Sequence, residues 1–287
     1  MEDGTRRTRF AWPVALAGIV AFSFSAPLYQ LSASPPALGS ALRFAYATPL
    51  LALIQWRRGG LRPGPELRPA ALAGLIVGVE LVIWNEATRR IGAGPSTVVV
   101  NTASLWVIAL SVLVLRAPLA RRAVAGAVVV IAGLVLLRGT GAHRLDLVGI
   151  ALAVLAAALY GAYILLFDVA VSRARSRTAP VLQTTAIAAF VSLACALALR
   201  EPFHLTAGQH AWLALLGVGV QALGWMLVAE SLRWFTAVTV SILLLLQPAL
   251  SAVWGATFLG ETLTAIQVGG IAVVLVGVAA VRPRATR

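Results

Sequence analysis

The sequence predicts an all-α integral membrane protein whose ten transmembrane helices form two inverted five-helix repeats. Three observations carry that expectation. Of 287 residues, 60% are apolar and 11% charged, and the mean hydropathy is +0.91, whereas an ordinary soluble domain carries about 25% charged residues. One globular core could not bury that much apolar surface, so lipid must solvate it. The second observation is internal repetition. Residues 86–133 laid over 230–277 without a gap pair Glu86 with Glu230, Arg89 with Arg233, Gly126 with Gly270 and Gly133 with Gly277. Apolar bias alone does not produce recurring charged and glycine positions at one fixed shift. The third is that all 23 Lys and Arg positions are arginine, and that these arginines punctuate the apolar runs.

Runs long enough to cross about 30 Å of hydrocarbon need roughly 20 residues each. The first, 11–31, follows Arg6, Arg7 and Arg9. Its start also has the form of a secretory signal peptide, with an apolar run after Arg6-Arg7 and small residues at Ser32-Ala33-Ser34. Losing that run would break the five-plus-five symmetry, so it is read as a span. The second, 36–56, opens at Pro36 and ends before Arg57-Arg58. The third and fourth, 69–88 and 95–115, are divided at Arg89-Arg90, because one helix of their joint length would overshoot the bilayer. The fifth is 122–138, the sixth 146–168 and the seventh 179–199. The eighth and ninth, 209–231 and 236–259, are divided at Arg233 for the same reason as the third and fourth. The tenth is 265–282. Two units follow, residues 1–140 and 141–287. The longest break, 57–68, is too short for a separate soluble domain.

Orientation follows from the loops. With a cytoplasmic N-terminus the inner side receives seventeen of the arginines, and the outer side receives Arg89, Arg90, Arg138, Arg144 and Arg200; Arg43 lies within a span. That bias predicts that both termini are cytoplasmic. Because each unit has an odd number of spans, the second enters the membrane from the opposite side, an arrangement suited to alternating access. The net charge of +13 is then a topology signal, and no nucleic-acid partner is expected. The lone Cys195, inside an apolar run, can form no intrachain disulfide and has no metal-binding pattern around it. Neither a cofactor nor a metal is implied.

The last third of the chain carries a more specific pattern. Leu246-Gln247-Pro248-Ala249, then Gly260-Glu261-Thr262-Leu263-Thr264, Gln267, Gly270 and Gly277 resemble the EamA-type transporters of the drug/metabolite transporter superfamily. In that family a proline in span nine, a Gly-Glu before span ten and a Gln-x-x-Gly entering it recur. The first half departs from this, with Ser104 at the place of Pro248 and Ala117 at that of Glu261. The resemblance implies a ten-helix permease whose spans one, three, four, six, eight and nine surround a central cavity.

Several of these residues also have a local reading. Thr264 and Gln267 are spaced as a capping box at the start of span ten, with Glu261 near the same positive dipole end. Pro248 removes a backbone hydrogen bond and marks a hinge or a cavity wall. The repeated glycines allow close helix packing. Glu86 and Glu230 each precede an arginine by three residues, so each can form a helix-end ion pair or a gate at a mouth.

Ionisable groups inside spans are functional candidates. Arg43 lies seven residues past Pro36 and Glu80 eleven past Pro69, which at about 1.5 Å per residue puts them roughly 11 Å and 17 Å into the membrane from opposite sides. Both fall near the midplane. They border a cavity, with Glu80 as a proton-coupling group or counter-charge for an amine, or they form a fixed ion pair joining spans two and three. Around them the candidate cavity residues are Trp84, Asn101, Tyr160, Tyr163, Gln221, Trp225 and Gln247. Aromatic walls with a few convergent polar groups suit an amphipathic metabolite. Tyr29 and Trp56 read instead as interface anchors, and Asp168 as a residue reaching to the interface.

The expectation is thus a secondary carrier of the bacterial inner membrane, surrounded by membrane lipid. It exports small amphipathic metabolites such as amino acids, with protons as the candidate coupling ion, as a monomer or homodimer. A lipid-carrier flippase of the same superfamily fold is the alternative. An intramembrane enzyme is disfavoured, because His143, His204 and His210 fall in loops or at span ends and neither HExxH nor GxSxG occurs. There is likewise no Gly-rich phosphate loop for ATP hydrolysis.

Overall fold

Backbone in hydrocarbon must satisfy its own hydrogen bonds, and every span is helical in the computed structural model. It describes residues 2–91, 93–118, 121–137, 146–258 and 264–280. The first span comprises α1 (Glu2–Ser23) and α2 (Ser25–Ser32), the second α3 (Pro36–Gly59) and the third α4 (Leu67–Ile91). The fourth comprises α5 (Ala93–Val100) and α6 (Ala103–Leu113), and the fifth is α7 (Arg121–Leu137). The sixth is α8 (Leu147–Arg173) and the seventh α9 (Thr178–Ala198). The eighth runs through α10 (Ala207–Leu215), a π-helical segment (Leu216–Gly224) and α11 (Trp225–Ser231). The ninth comprises α12 (Ala237–Leu244) and α13 (Leu246–Phe258), and the tenth is α14 (Ala265–Ala280). Among the described residues seven segments are long and apolar enough to cross a membrane, and Val98–Leu113 and Ala265–Ala279 are shorter apolar helices.

Four spans expected to be continuous are interrupted. Pro27 and Pro248 each lie three residues past a break, at Phe24 and Leu245, because a proline ring clashes with the carbonyl of residue i−4 and offers it no N–H. The carbonyl freed at Ser23 is taken by the Ser251 hydroxyl of α13 at 2.5 Å. The fourth span breaks at Asn101-Thr102, the place equivalent to Leu245 in the other half, although no proline follows it. The π segment in the eighth span had no counterpart in the sequence reading, and its Gly-Val-Gly-Val-Gln-Ala-Leu-Gly composition is the signal that could have shown it.

Helix contacts repeat between the halves. Gly74 and Gly78 bring α4 onto α9 at Thr184, Ile187 and Val191, while Gly217 brings the eighth span onto α3 at Arg43, Tyr46 and Ala47. Gly18 of α1 meets Leu227 and Val228 of α11, as Gly149 of α8 meets Arg90 and Ile91 of α4. The two terminal helices of the repeats pack on each other. A Cβ on Gly133 would lie 2.8 Å from the Gly270 carbonyl oxygen, and one on Gly277 would lie 3.1 Å from that of Gly126. The four repeated glycines therefore form one crossing, as small residues do where helix backbones approach closely. Outward residues such as Phe190, 73% exposed, and Leu113, 76% exposed, suit contact with hydrocarbon.

Helix ends are satisfied by side chains. Thr264 and Gln267 form the expected box, with the Gln267 N–H donating to Thr264 Oγ1 at 3.3 Å and the Thr264 N–H to Gln267 Oε1 at 2.9 Å. Thr206 and Gln209 form a second one at the start of α10. Glu201 reaches from the loop before α10 to accept from the N–H groups of Ala37 and Leu38 at 3.1 and 2.7 Å, capping α3. Asp146 caps α8 by accepting from Val148 and Gly149 and also meets Arg90. The Gly149 N–H is the chief cause that holds its carboxyl below the usual range, with Arg90 adding to it. Glu86 pairs with Arg89 and Arg90 at 3.1 and 2.8 Å, and Glu230 with Arg233 at 2.8 Å. Both are helix-end ion pairs, open to solvent in part. Glu261 lies outside the described residues.

Candidate functional site

Spans one, two, seven and eight meet around Arg43. It projects from α3 and is only 8% exposed. Its Nε donates to Gln221 Oε1 at 3.1 Å and its Nη1 to Ser25 Oγ at 3.2 Å. Gln221 in turn donates through Nε2 to Thr185 Oγ1 of α9 at 3.2 Å. A single chain of polar contacts thus links α2, α3, the π segment and α9. Gln221 lies in the middle of the π segment, where each turn holds an extra residue and a side chain can be aimed where an α-helix would not aim it; such segments are frequent at functional sites.

Glu80 and Trp84 stand one turn apart on α4. Glu80 is 3% exposed, and its Oε2 and the Trp84 indole nitrogen are buried without a hydrogen-bond partner among the described residues. The fixed ion pair between Arg43 and Glu80, one of the two readings of their equal depth, is not formed: among the described residues no carboxylate lies within ion-pair distance of Arg43. Depth sets the height of a side chain in the membrane but not the side of the helix it leaves from. Gln221 and Ser25 take the guanidinium instead.

A small cleft with about 20 Å³ of room for water-sized contents lies among spans one to three, lined by Ser25, Tyr29, Ser40, Arg43, Leu81, Trp84 and Asn85. Asn85 donates to Pro36 O at 3.1 Å and to Ser40 Oγ at 3.2 Å, fixing one wall of it. Tyr29, expected at the interface, lines this cavity; Trp56, 63% exposed, keeps a position compatible with an anchor. Spans two and seven therefore supply polar groups alongside the spans that the resemblance implied.

An aromatic cluster stands beside these groups. Tyr160 stacks on Tyr163 with ring centroids 5.8 Å apart, and Trp225 meets the edges or faces of Tyr163, Phe167 and Phe22 at 5.0 to 5.1 Å. Trp225 and Tyr163 are buried at 4% and 1% exposure, so they form a packed wall of the helix bundle. Asn101 lies half-buried at the break in the fourth span, and Gln247 half-buried beside Pro248 in the ninth. Gln247 makes no hydrogen bond to the Arg43 cluster among the described residues. Sequence reasoning missed Ser25, Ser40, Asn85 and Thr185, because a single Ser, Thr or Asn in a span is too common to stand out. It also missed the bond between Tyr46 Oη and His210 Nδ1, at 2.6 Å, near the start of α10.

Comparison with known proteins gives two kinds of match. A family model described as the EamA-like transporter family matches residues 10–139 and again residues 147–282. Twenty-nine chains of solved structures are similar. One, titled only as the crystal structure of a protein, is 18% identical, with a TM-score of 0.81 over 95% of this chain and 96% of that one. At that identity the likeness establishes the fold alone. No curated protein matches.

Proposed function

We propose, from the premise that this chain belongs to the EamA-like transporter family, that it is a secondary carrier exporting small amphipathic metabolites such as amino acids. Family membership makes it a multi-pass membrane transporter and not an enzyme. The finer reading rests on one observation above all: Arg43, buried at 8% exposure in the second span, lines a small cleft with Tyr29, Asn85, two serines and half-buried Trp84, and Glu80, 3% exposed, directly precedes the cleft-lining Leu81 on α4. Buried charges in a membrane are costly and mark solute pathways, and the cleft in this conformation has room for about one water molecule, so a solute enters only once the helices move apart.

Alternating access is supported by the mirrored helix contacts. The pairings of third with seventh span and eighth with second are equivalent under the repeat, as are those of first with eighth and sixth with third. Two units, 1–140 and 141–287, inserted in opposite senses, rock about the Arg43 cluster to open one mouth and then the other. The arginine bias supports cytoplasmic termini, the membrane of this reading is the bacterial inner membrane, and protons are the candidate coupling ion. The polar side chains at the cleft, Arg43, Asn85, Ser25, Ser40 and Tyr29, favour a water-soluble solute over a polyprenyl lipid, which sets a lipid-carrier flippase second.

The test is a thermal-stability screen of purified protein against amino acids, nucleobases, sugar phosphates and polyprenyl lipids, followed by counterflow of each hit in proteoliposomes. Stabilisation by and exchange of a water-soluble metabolite is expected. A hit restricted to polyprenyl lipids would overturn the metabolite reading.

A further inference from the structure

At one end of the bundle the chain gathers arginines that no carboxylate answers. The stretch 57–68, where α3 gives way to α4, carries four, and the stretch 173–177, where α8 gives way to α9, carries three. Among the described residues none of these seven lies within ion-pair distance of a carboxylate. Glu66, the one acid in the two stretches, is 3% exposed and accepts from the Gly64 N–H and from Gln183 Nε2, each at 3.0 Å. Topology asks only that arginines be numerous on one side; it does not ask that they be held in place. Here side-chain bonds tie the two stretches together. Arg58 donates through Nη1 to Thr178 Oγ1 at 3.1 Å, and Ser176 donates to Gln55 Oε1 at 2.8 Å. Gln55 in turn donates to the Gly60 carbonyl at 3.0 Å, which fixes the turn after Arg57-Arg58. Arg175, next to Ser176, therefore stands at the same seam as Arg57 and Arg58, and all three are exposed. The surface leading to the seam is apolar: Ala45, Pro49, Leu53 and Trp56, three or four residues apart, form an exposed stripe of α3 that ends at Arg57. An exposed tryptophan directly before arginines is the arrangement of a helix end at the boundary of lipid and water.

We propose that this seam between the second and seventh spans binds the headgroup of an anionic phospholipid. Arg57, Arg58 and Arg175 take the phosphodiester, Trp56 lies at the level of the glycerol, and an acyl chain follows Leu53, Pro49 and Ala45 along α3. Guanidinium groups match phosphate oxygens in charge and in the paired geometry of their N–H donors, and basic recesses between membrane helices take such headgroups. The headgroup supplies the counter-charge that the protein leaves out, and the stripe beside it explains why the anion arrives on a lipid. In the orientation that the arginines support, that lipid belongs to the cytoplasmic leaflet. The site lies on the outer surface of the bundle and does not depend on what the carrier moves.

The experiment titrates the purified full chain, in a neutral detergent, with phosphatidylglycerol, with phosphatidylcholine of the same acyl chains and with glycerol phosphate, and reads thermal stabilisation. The wild type is expected to bind phosphatidylglycerol at least about tenfold more tightly than phosphatidylcholine, and glycerol phosphate should give no shift at the same concentration. The double variant Arg57→Gln with Arg58→Gln should weaken phosphatidylglycerol about tenfold and leave phosphatidylcholine unchanged. Arg121→Gln with Arg122→Gln removes two exposed charges at the start of α7 and should leave phosphatidylglycerol binding unchanged. Should the first double variant fail to fold, Arg57→Gln and Arg175→Gln singly carry the test, each with a loss of about threefold. Equal binding of the two lipids by the wild type overturns the site. An equal loss in both double variants also overturns it and assigns the preference to net charge. Stabilisation by glycerol phosphate as strong as by phosphatidylglycerol overturns the lipid in favour of a free phosphate.

Discussion

Replacing Gln221 by Met should cost stability chiefly by leaving Arg43 with one fewer acceptor. The substitution keeps side-chain length and removes two hydrogen bonds, one from Arg43 Nε at 3.1 Å and one to Thr185 at 3.2 Å. Neutral interhelical hydrogen bonds in membranes average only about 0.6 kcal/mol in double-mutant cycles, because the unfolded state in lipid also finds partners. A bond from a buried guanidinium is stronger, about 1.5–3 kcal/mol on the soluble-protein scale. The coupling between Arg43 and Gln221 should therefore fall at about 1–2 kcal/mol, above the neutral average and below the aqueous value. Reversible SDS-driven unfolding of wild type, Gln221→Met, Arg43→Met and the double variant measures it. Losing the Thr185 bond occurs in both arms carrying Gln221→Met and cancels, as does the attraction between Arg43 and Glu80 in the arms carrying Arg43→Met. A coupling below about 0.5 kcal/mol, the ordinary limit of additivity for independent sites, would show that the buried contact carries no stability.

Other positions give sharper yes-or-no outcomes. Gly133→Ala places a Cβ 2.8 Å from both the Gly270 carbonyl oxygen and the Val274 nitrogen; backbone cannot yield as a side-chain tip can, so a loss of about 1–3 kcal/mol is expected, while Gly269→Ala, with nothing within 4 Å, should leave thermal stability unchanged. Glu201→Ala removes both acceptors capping α3 and should cost about 1 kcal/mol, read in the same SDS assay; an unchanged midpoint would mean that water replaces the carboxylate there. Asp146 contributes stability that is present above the ordinary aspartate pKa of about 3.9 and is lost as pH falls through its lower folded value. Wild type and Asp146→Ala should therefore differ by a constant amount from pH 5 to 8 and converge only below about pH 4; a gap that changes near neutrality would assign the effect to another group.

Much of this molecule is written locally. Lipid forces every span to be a helix and fixes its length, so the order and approximate limits of all ten follow from apolar runs, arginines and prolines. The Thr264–Gln267 box and the ion pairs of Glu86 and Glu230 involve residues three or four apart, close enough for helical spacing alone to bring them together. The glycine crossing was visible as repetition, because a duplicated unit must place the same small residue where its end helix meets its copy.

Tertiary structure decided which groups meet. Arg43 and Gln221 are 178 residues apart, and Glu201 caps a helix 164 and 163 residues before it; nothing in either local sequence distinguishes those partners from others at the same depth. Equal depth suggested an Arg43–Glu80 pair and could not give the direction in which each side chain leaves its helix. That direction depends on the glycine contacts at Gly217 and on the π segment that aims Gln221. The sequence by itself determined a duplicated ten-span transporter scaffold, since hydrophobic thickness and backbone hydrogen bonding act residue by residue. Only packing across the two halves determined that its buried charges stand apart, because the orientation of one helix about its axis is set by its neighbours.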